Sequence, residues 1–266
     1  MNVIFCSLSS GSSGNCYYLG NETKGLLIDA GISAKSITRF LREIGIPMKA
    51  LAGVLITHNH TDHIRGLEVL TRRNSIPAFT TTKIWESVLA SNSKITKDCI
   101  REIPLQKKFK LAGLDIEAFP VYHDAPETIG FHICALDKKI TIATDLGHIC
   151  RTSAPYIKAA NLLVIESNYD EEMLANGKYP PYLKARIRSD HGHLGNHQTS
   201  ALLAEIINDN LSHICLAHLS INNNTPEKVL QNLQQTLSDK GIMPNGKQKI
   251  LILNRNTPSE IIRLTD

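Results

Sequence analysis

The chain has 266 residues, of which 42% are hydrophobic and 20% are charged, and its formal net charge is +4. This composition is that of an ordinary globular protein, and so mild an excess of basic residues excludes a chain whose total charge by itself indicates nucleic-acid binding. A chain of this length can bury one large core, so we expect a single domain over residues 1–266.

The cysteine usage and the N-terminus bear on the cell compartment. Six cysteines are scattered without a C-x-x-C pair, and most of them lie inside apolar runs, which is typical of buried free thiols in a reducing compartment. No apolar stretch approaches the roughly 18 to 20 residues that span a bilayer, and the first residues lack the pattern of a signal peptide. The sequence therefore predicts a cytoplasmic protein without membrane contact.

The first half of the chain alternates short strands with helices. Three β-like runs separated by Gly and Ser turns, at 3–6, 16–19 and 25–28, predict a small antiparallel meander. An amphipathic helix follows, with Ser33 as its N-cap and Gly45 just past its end. A buried strand at 54–56 leads into a histidine-rich loop, and helical periodicity resumes after that loop and again near 83–90.

The second half predicts a second group of strands with helices between them. The expected strands are 114–119, 130–134, 140–143, 162–165, 214–217 and 250–253. The expected helices are 154–160, 196–207 and 226–237. Two clusters of strands with intervening helices favour an α/β (α+β) fold, in which two sheets lie between outer layers of helix.

Four of these apolar strands run directly into a side chain of the kind that binds metals. The four side chains are His58, His123, Asp145 and His218. One such residue alone would be read as a solvated loop residue. Four together, one of them in a dense histidine cluster, predict that the strand ends assemble a site.

The cluster itself has the pattern H-x-H-x-D-H. His58 and His60 are two residues apart in an extended loop, so both can point into one coordination sphere. Asp62 and His63 project differently and can serve a second ion. The spacing therefore suggests two neighbouring metal ions.

The remote residues complete the two spheres. His123 and His218 offer further imidazoles, and Asp145 offers a carboxylate that can bridge both ions. This mixed set suits zinc, and manganese or iron could occupy the same ligands. The alternative, a histidine-rich surface loop without function, is disfavoured because such loops do not carry an intervening Asp and three remote partners.

At these residues the chain resembles the metallo-β-lactamase fold superfamily, over essentially its whole length. More narrowly, it resembles the WalJ (YycJ) type of metallohydrolase. The residues that carry this second resemblance are Ser9, Gly11–Asn15, Glu166–Asp170, Gly192–Leu194, Asn196, His218–Ser220 and Asn222–Asn224. The resemblance implies a single four-layer αββα sandwich domain and a metal-dependent nuclease, with 5′-to-3′ exonuclease action on DNA.

The ligands and the resemblance suggest a mechanism. Two divalent ions would share a hydroxide that attacks phosphorus, and Asp62 could orient it. The order of motifs is also similar to that of ribonuclease Z, which implies that His193 protonates the leaving oxygen or contacts the phosphate while Glu166 orients its imidazole. The residues alone leave open that His193 is a surface-loop histidine, and they favour His191 and His197 as bystanders.

Substrate contacts are expected mainly from the segment 178–188, read as a basic Tyr/Pro loop. We expect contacts to a nucleic acid, DNA above all, from Lys184, Arg186, Arg188, Ser220 and Asn223. A solvated charged loop is an equal alternative, and a second basic stretch, 94–110, is expected to be an exposed face. Because the chain lacks a long inserted domain, a second subunit of a homodimer could help to grip the substrate.

Two other functions stay open at this point. The same ligands serve small-molecule hydrolases of cyclic phosphodiesters, lactones or thioesters, since a fold does not decide a function. Glu166, His193 and the basic loop favour the nuclease. A regulatory protein that merely contains metal is disfavoured, because degenerate members would be expected to lose ligands.

Overall fold

Two seven-stranded sheets form the centre of this computed structural model, which describes residues 3–91, 94–242 and 247–265. The strands are β1 (Val3–Ser9), β2 (Cys16–Gly20), β3 (Gly25–Ile28), β4 (Leu51–Leu55), β5 (Ala78–Thr80), β6 (Ile100–Glu102), β7 (Lys108–Leu111), β8 (Leu114–Val121), β9 (Thr128–Ala135), β10 (Lys138–Ala143), β11 (Leu162–Glu166), β12 (His213–Ala217), β13 (Lys249–Ile252) and β14 (Ile262–Leu264).

Each sheet is antiparallel in one half and parallel in the other. The first sheet has the order β14-β1-β2-β3-β4-β5-β6, and the second has the order β13-β12-β11-β10-β9-β8-β7. In the first, β14 to β3 pair antiparallel and β3 to β6 pair parallel. In the second, β7 to β10 pair antiparallel and β10 to β13 pair parallel. The predicted antiparallel meander of the first three strands is confirmed.

The helices cover the outer faces of the two sheets. They are α1 (Ala34–Glu43), α2 (Thr61–Ile64), α3 (Leu67–Asn74), α4 (Thr82–Ser91), α5 (Ala154–Lys158), α6 (Glu171–Asn176), α7 (Pro181–Arg188), α8 (Asn196–Ile206) and α9 (Pro226–Asp239). The buried faces of α1, α3 and α4 belong to the core of the first sheet, and those of α5, α8 and α9 pack on the second. This is the expected αββα sandwich.

The period of two along a strand explains how one strand serves two cores. In β11, Leu162 and Val164 belong to the core that the two sheets share, whereas Leu163 and Ile165 belong to the core under the outer helices. Successive side chains of a strand point to opposite faces. An uninterrupted apolar strand therefore indicates a sheet that is covered on both sides, as this one is.

The ends of the strands that precede the candidate site meet at one edge of the sandwich. Strands β1, β3 and β4 run in the same direction in the first sheet, as β8, β10, β11 and β12 do in the second. Hydrogen bonds join the sheets there, from the Ile129 amide to the Thr57 carbonyl at 3.0 Å and from the His218 amide to Ser10 Oγ at 2.9 Å. All loops that follow these strands consequently open on one side of the molecule.

Two segments differ from the prediction. The segment 178–188, expected as a loop, contains helix α7, which begins at a proline because the first helical position needs no amide hydrogen. The histidine loop is extended only to His60, and Thr61–Ile64 forms a helical turn that carries Asp62 and His63. The short strands β5, β6, β7 and β14 and helix α6 were not expected.

Two general expectations can be compared with the structure. Among the described residues, no helix has both the length and the apolar character needed to cross a bilayer. All six cysteines are free thiols, and four of them are buried. The assignment of the whole chain to one domain stays a prediction.

Candidate metal centre

Three residues at the strand ends adopt a left-handed backbone conformation that aims their side chains at one point. Asp29 follows β3 with φ 61°, Asp145 follows β10 with φ 57°, and His218 follows β12 with φ 56°. Residues other than glycine seldom adopt this conformation, which costs on the order of 1–3 kcal/mol each. The surrounding structure holds three such turns in the same place, which marks this edge as a functional site.

The histidine segment is packed tightly against the loop that follows β3. A Cβ atom on Gly31 would lie 1.7 Å from the carbonyl oxygen of Asp62, so no larger residue fits there. The Asn15 amide donates to the same carbonyl at 2.8 Å, and the Ala30 amide donates to the carbonyl of His63 at 2.8 Å. These contacts fix the backbone of the helical turn that carries Asp62 and His63.

One group of candidate ligands consists of three histidines. His58, His60 and His123 have ligand atoms within 4.8 Å of one another. The ring centroids of His58 and His60 are 4.6 Å apart, and those of His60 and His123 are 5.1 Å apart. His58 and His123 are buried, whereas His60 is half-buried at the mouth of the site.

A second group consists of Asp62, His63 and His218. Asp62 Oδ2 lies 3.5 Å from Nε2 of His63 and 3.5 Å from Nε2 of His218. The three ligand atoms of this group also lie within 4.8 Å of one another. These two groups correspond to the two sets that the spacing suggested, and a further group of His58, His63 and Asp145 joins them.

Asp145 lies between the two groups. Its Oδ2 is 3.1 Å from His63 Nε2, and its Oδ1 is 3.8 Å from His123 Nε2. Oδ1 is also 3.4 Å from His218 Nδ1, so this buried carboxylate contacts imidazoles of both sets. This is the arrangement that a bridging ligand requires.

The outer nitrogens of three imidazoles are held by hydrogen bonds. His63 Nδ1 donates to Asp29 Oδ2 at 2.6 Å, His123 Nδ1 donates to the Gly192 carbonyl at 2.9 Å, and His218 Nδ1 donates to Glu166 Oε1 at 2.7 Å. Because Nδ1 donates in each ring, Nε2 is the nitrogen directed at the centre. Such partners orient histidine ligands and raise their basicity.

Two buried polar atoms show that the centre fits a cation. Among the described residues, His58 Nε2 has no hydrogen-bond partner, and Asp145 Oδ2 makes no aligned hydrogen bond although His63 is near. An unsatisfied buried polar atom costs about 1–3 kcal/mol. Imidazole nitrogen and carboxylate oxygen are ligands of zinc, manganese and iron. The residues present therefore fit divalent metal ions, and these atoms could bind them.

The pKa shifts of the candidate ligands also favour the binding of a cation. Burial lowers the pKa of His58 and of His123, so both rings are neutral and offer a lone pair. Burial alone would also lower the pKa of His218, but Asp145, Asp62 and Glu166 outweigh it and raise that pKa to about 10. Without a metal ion, protons on such histidines balance the buried carboxylates, and a divalent cation would take their place.

Glu166 connects this centre to His193. Its Oε1 lies 2.7 Å from Nδ1 of His193 and 2.7 Å from Nδ1 of His218. Its Oε2 accepts hydrogen bonds from the amides of Leu146 and Leu194. Burial alone would raise the pKa of Glu166. His193 and His218 outweigh burial and lower this pKa below its usual value, so the carboxylate stays charged. One fixed carboxylate therefore orients both histidines.

A cleft of about 160 Å³ opens beside His193. It is lined by Ser12, Asp124, Asn168, Tyr179, Leu183, Arg186, Ile187, Gly192, His193 and Ser220. Arg186, which pairs with Asp124 across the cleft, and Ser220 are the two expected substrate contacts that line it. The cleft is small, it is lined by both polar and apolar side chains, and it lies beside the candidate ligands.

Three other expected substrate contacts do not line this cleft. Lys184 Nζ donates to the Ala175 carbonyl at 2.7 Å. Arg188 Nε donates to Glu171 Oε1 at 2.8 Å, and Asn223 is buried with its amide on Ser220 Oγ. Because α7 is a helix, its basic side chains point in different directions around the helix axis. The prediction of a loop did not include this. A role for these three in binding substrate stays a prediction without geometric support.

Sequence reasoning missed two carboxylates. Asp29 holds His63, and it stands at the end of an apolar strand just as the predicted ligands do. Asp124 follows His123, with Oδ1 3.1 Å from His123 Nε2 and 3.8 Å from His60 Nε2. The strand-end pattern could have identified Asp29. Nothing in the spacing distinguished Asp124 from a loop aspartate.

Comparison with known proteins gives consistent results. A model of the beta-lactamase superfamily domain matches residues 25–214. Exodeoxyribonuclease YycJ of Bacillus anthracis is 36% identical over 249 residues, which cover 91% of each chain. Exodeoxyribonuclease WalJ of Streptococcus pneumoniae serotype 2 (strain D39) is 36% identical over 222 residues, 83% of this chain and 82% of its own. The metallo-beta-lactamase fold protein YhfI of Bacillus subtilis has a similar structure, with a TM-score of 0.71 over 98% of this chain and 99% of its own at 13% identity.

Replacing Asp29 by Asn tests how the ligands are oriented. The Asp29→Asn change keeps the shape but removes the charge that holds His63, so we expect metal affinity to fall about 10- to 100-fold. Competition with a chromophoric chelator measures this affinity. Asp115→Asn, at an exposed aspartate of β8, is the matched control and is expected to bind as the wild type does. Equal affinity in the two variants would show that Asp29 does not tune the site.

Proposed function

The chain belongs to the beta-lactamase superfamily, in the family of the exodeoxyribonucleases YycJ and WalJ, and on this premise we propose that it is a metal-dependent phosphodiesterase that removes nucleotides from DNA in the 5′-to-3′ direction. The observation that carries the proposal is Asp145 between two sets of ligands, with the Glu166 and His193 pair beside it. The centre supports hydrolysis, and the relatives named exodeoxyribonuclease support DNA as the substrate.

The residues that would hold two divalent ions form two sets. His58, His60 and His123 would hold one ion, Asp62, His63 and His218 would hold the other, and Asp145 would contact both. When bound, such ions acidify water and neutralise charge on a phosphate. Zinc and manganese are the ions we propose first, and iron fits the same nitrogen and oxygen ligands.

We propose that Asp62 orients the attacking water. Its side chain is 23% exposed, whereas the histidines beside it, His63 and His218, are nearly inaccessible. Burial raises the pKa of Asp62, but His63 and His218 lower it well below its usual range, so the group stays a carboxylate. A carboxylate at the mouth of the centre can accept a hydrogen bond from water that approaches phosphorus.

We propose that His193 protonates the leaving oxygen. Its side chain is 20% exposed and lines the cleft. Burial lowers the pKa of His193, but Glu166 outweighs this and raises the pKa above its usual value, which favours the protonated imidazole. Since Nδ1 is held by Glu166, Nε2 is the atom that would donate this proton.

The cleft beside His193 offers groups for the DNA backbone. Arg186 supplies a guanidinium, and Ser12 and Ser220 supply hydroxyls. Arg186 pairs with Asp124, so a phosphate would compete with that carboxylate for the same donors. These contacts support phosphate binding, whereas a thioesterase would offer an apolar pocket. The homodimer and the cytoplasmic location expected from the sequence stay predictions.

The substrate assay tests the proposal directly. Metal-loaded protein is incubated with end-labelled single- and double-stranded DNA, RNA, a cyclic nucleotide, a lactone and a thioester. We expect mononucleotides to be released from the 5′ end of DNA, and we expect Asp62→Ala to abolish the release because the attacking water loses its acceptor. Asp115→Ala, at an exposed aspartate outside the centre, is the matched control. Turnover of only the cyclic nucleotide, lactone or thioester would replace the nuclease by a small-molecule hydrolase.

The role of His193 is tested by changing the leaving group. His193→Ala removes the proton donor, so we expect kcat on DNA to fall about 10²- to 10⁴-fold. The p-nitrophenyl ester of thymidine 5′-monophosphate releases p-nitrophenolate, which leaves without being protonated. We expect kcat on this substrate to fall less than about tenfold. His197→Ala, at an exposed histidine four residues on, should leave both reactions unchanged. Equal losses on the two substrates would mean that His193 binds phosphate instead of donating a proton.

A further inference from the structure

An exposed tyrosine stands directly beside the candidate metal centre. Tyr122 follows the last residue of β8 and precedes His123, so its Cα lies about 3.8 Å from that of a candidate ligand. Its side chain is 45% exposed, although tyrosines elsewhere in the sandwich, such as Tyr17 and Tyr18, are buried completely. The reaction proposed above does not use Tyr122.

Two histidines hold the ring of Tyr122. The ring of His148 stacks on it, with centroids 4.9 Å apart and an angle of 27° between the planes. The ring of His191 meets it edge-on, with centroids 5.7 Å apart and an angle of 73°. His191 is exposed and His148 is half-buried, so the three rings form one aromatic surface that faces solvent.

Backbone contacts fix the loops that carry these rings. His148 Nδ1 donates to the Asp190 carbonyl at 2.9 Å, and the Gly147 amide donates to the Tyr122 carbonyl at 2.9 Å. A Cβ atom on Gly147 would lie 2.3 Å from the Asp190 carbonyl oxygen, so the two loops are in closest contact there. The aromatic surface is therefore built before any ligand arrives, which lowers the entropy cost of binding.

We propose that Tyr122, supported by His148 and His191, is a stacking platform for the nucleobase next to the bond that is cleaved. The inference rests on the proposed nuclease function and adds a binding site to it. Tyr122 adjoins the candidate ligand His123 in the chain, and the loop that carries His191 bonds to the same ligand through the Gly192 carbonyl, so the platform would take the base that adjoins a phosphate at the centre. Every base has a π face, so such a platform accepts DNA of any sequence.

The other exposed tyrosine near the cleft is a weaker candidate. Tyr182 on α7 is 76% exposed, and among the described residues no ring contact holds it. Tyr179 lines the cleft with its hydroxyl bound by Asn222 at 2.8 Å, so its role there is to shape the wall. Tyr122 is the tyrosine of the three that is both exposed and fixed by stacked rings.

Substitution of the tyrosine combined with removal of the base tests the platform. Tyr122→Ala should lower kcat/KM on DNA about 5- to 150-fold, chiefly through KM, since stacking contributes to binding more than to the chemical step. Tyr122→Phe keeps the ring and should restore activity to within about twofold. Leu230→Ala, at an exposed apolar side chain of α9, is the control and should match the wild type. Metal content, measured for every variant, shows whether His123 is disturbed.

The decisive substrate carries one abasic nucleotide beside the cleaved bond. It should reduce kcat/KM of the wild type by the same factor as Tyr122→Ala, and it should cause no further loss in that variant, because the base and the ring lose the same contact. Independent, multiplicative losses, or a Phe variant as weak as the Ala variant, would overturn the platform while the nuclease function stands. A wild type that leaves DNA intact would overturn both.

Discussion

A buried carboxylate that two sets of imidazoles share is the constraint on which the rest of the structure depends. Asp145 is almost inaccessible to solvent, and an ion buried without compensation costs several kcal/mol. Burial raises its pKa, but His218 and His63 lower it far below the usual range, so it remains charged. The backbone at Asp145 takes an unfavourable left-handed turn to place it there. Cations held by the two sets of ligands would neutralise the charge of Asp145 and would pair with the unsatisfied lone pairs of the candidate ligands.

The mixed topology of the sheets brings the ligands to this carboxylate. A parallel half in each sheet places the carboxyl ends of neighbouring strands at one edge, and the two sheets meet at that edge through Ser10 and Thr57. Four of the candidate ligands, His58, His123, Asp145 and His218, therefore need only to follow their strands by one to three residues to reach the centre. Outer partners such as Asp29 and Glu166 then turn the rings inward, so the core and the site are built by the same strands.

Much of the fold and of the candidate site could be predicted from the sequence. The parts that could not be predicted were missed for physical reasons. Apolar runs predicted most of the strands, and the dense His and Asp spacing predicted candidate ligands that the fold brings together. Helix α7 was missed because Pro180 and Pro181 resemble a loop signal, although proline also begins helices. Lys184 and Arg188 were consequently expected in the cleft. The stacked surface at Tyr122 depends on three separate loops, and no local pattern encodes such a contact.

The central claim is that these side chains bind two cations on either side of Asp145. Anomalous diffraction from crystals grown with saturating zinc or manganese would locate the bound cations. We expect two peaks. One should lie beside His58, His60 and His123, and the other should lie beside Asp62, His63 and His218. A centre that stays empty under these conditions, or a single ion bound away from Asp145, would contradict it.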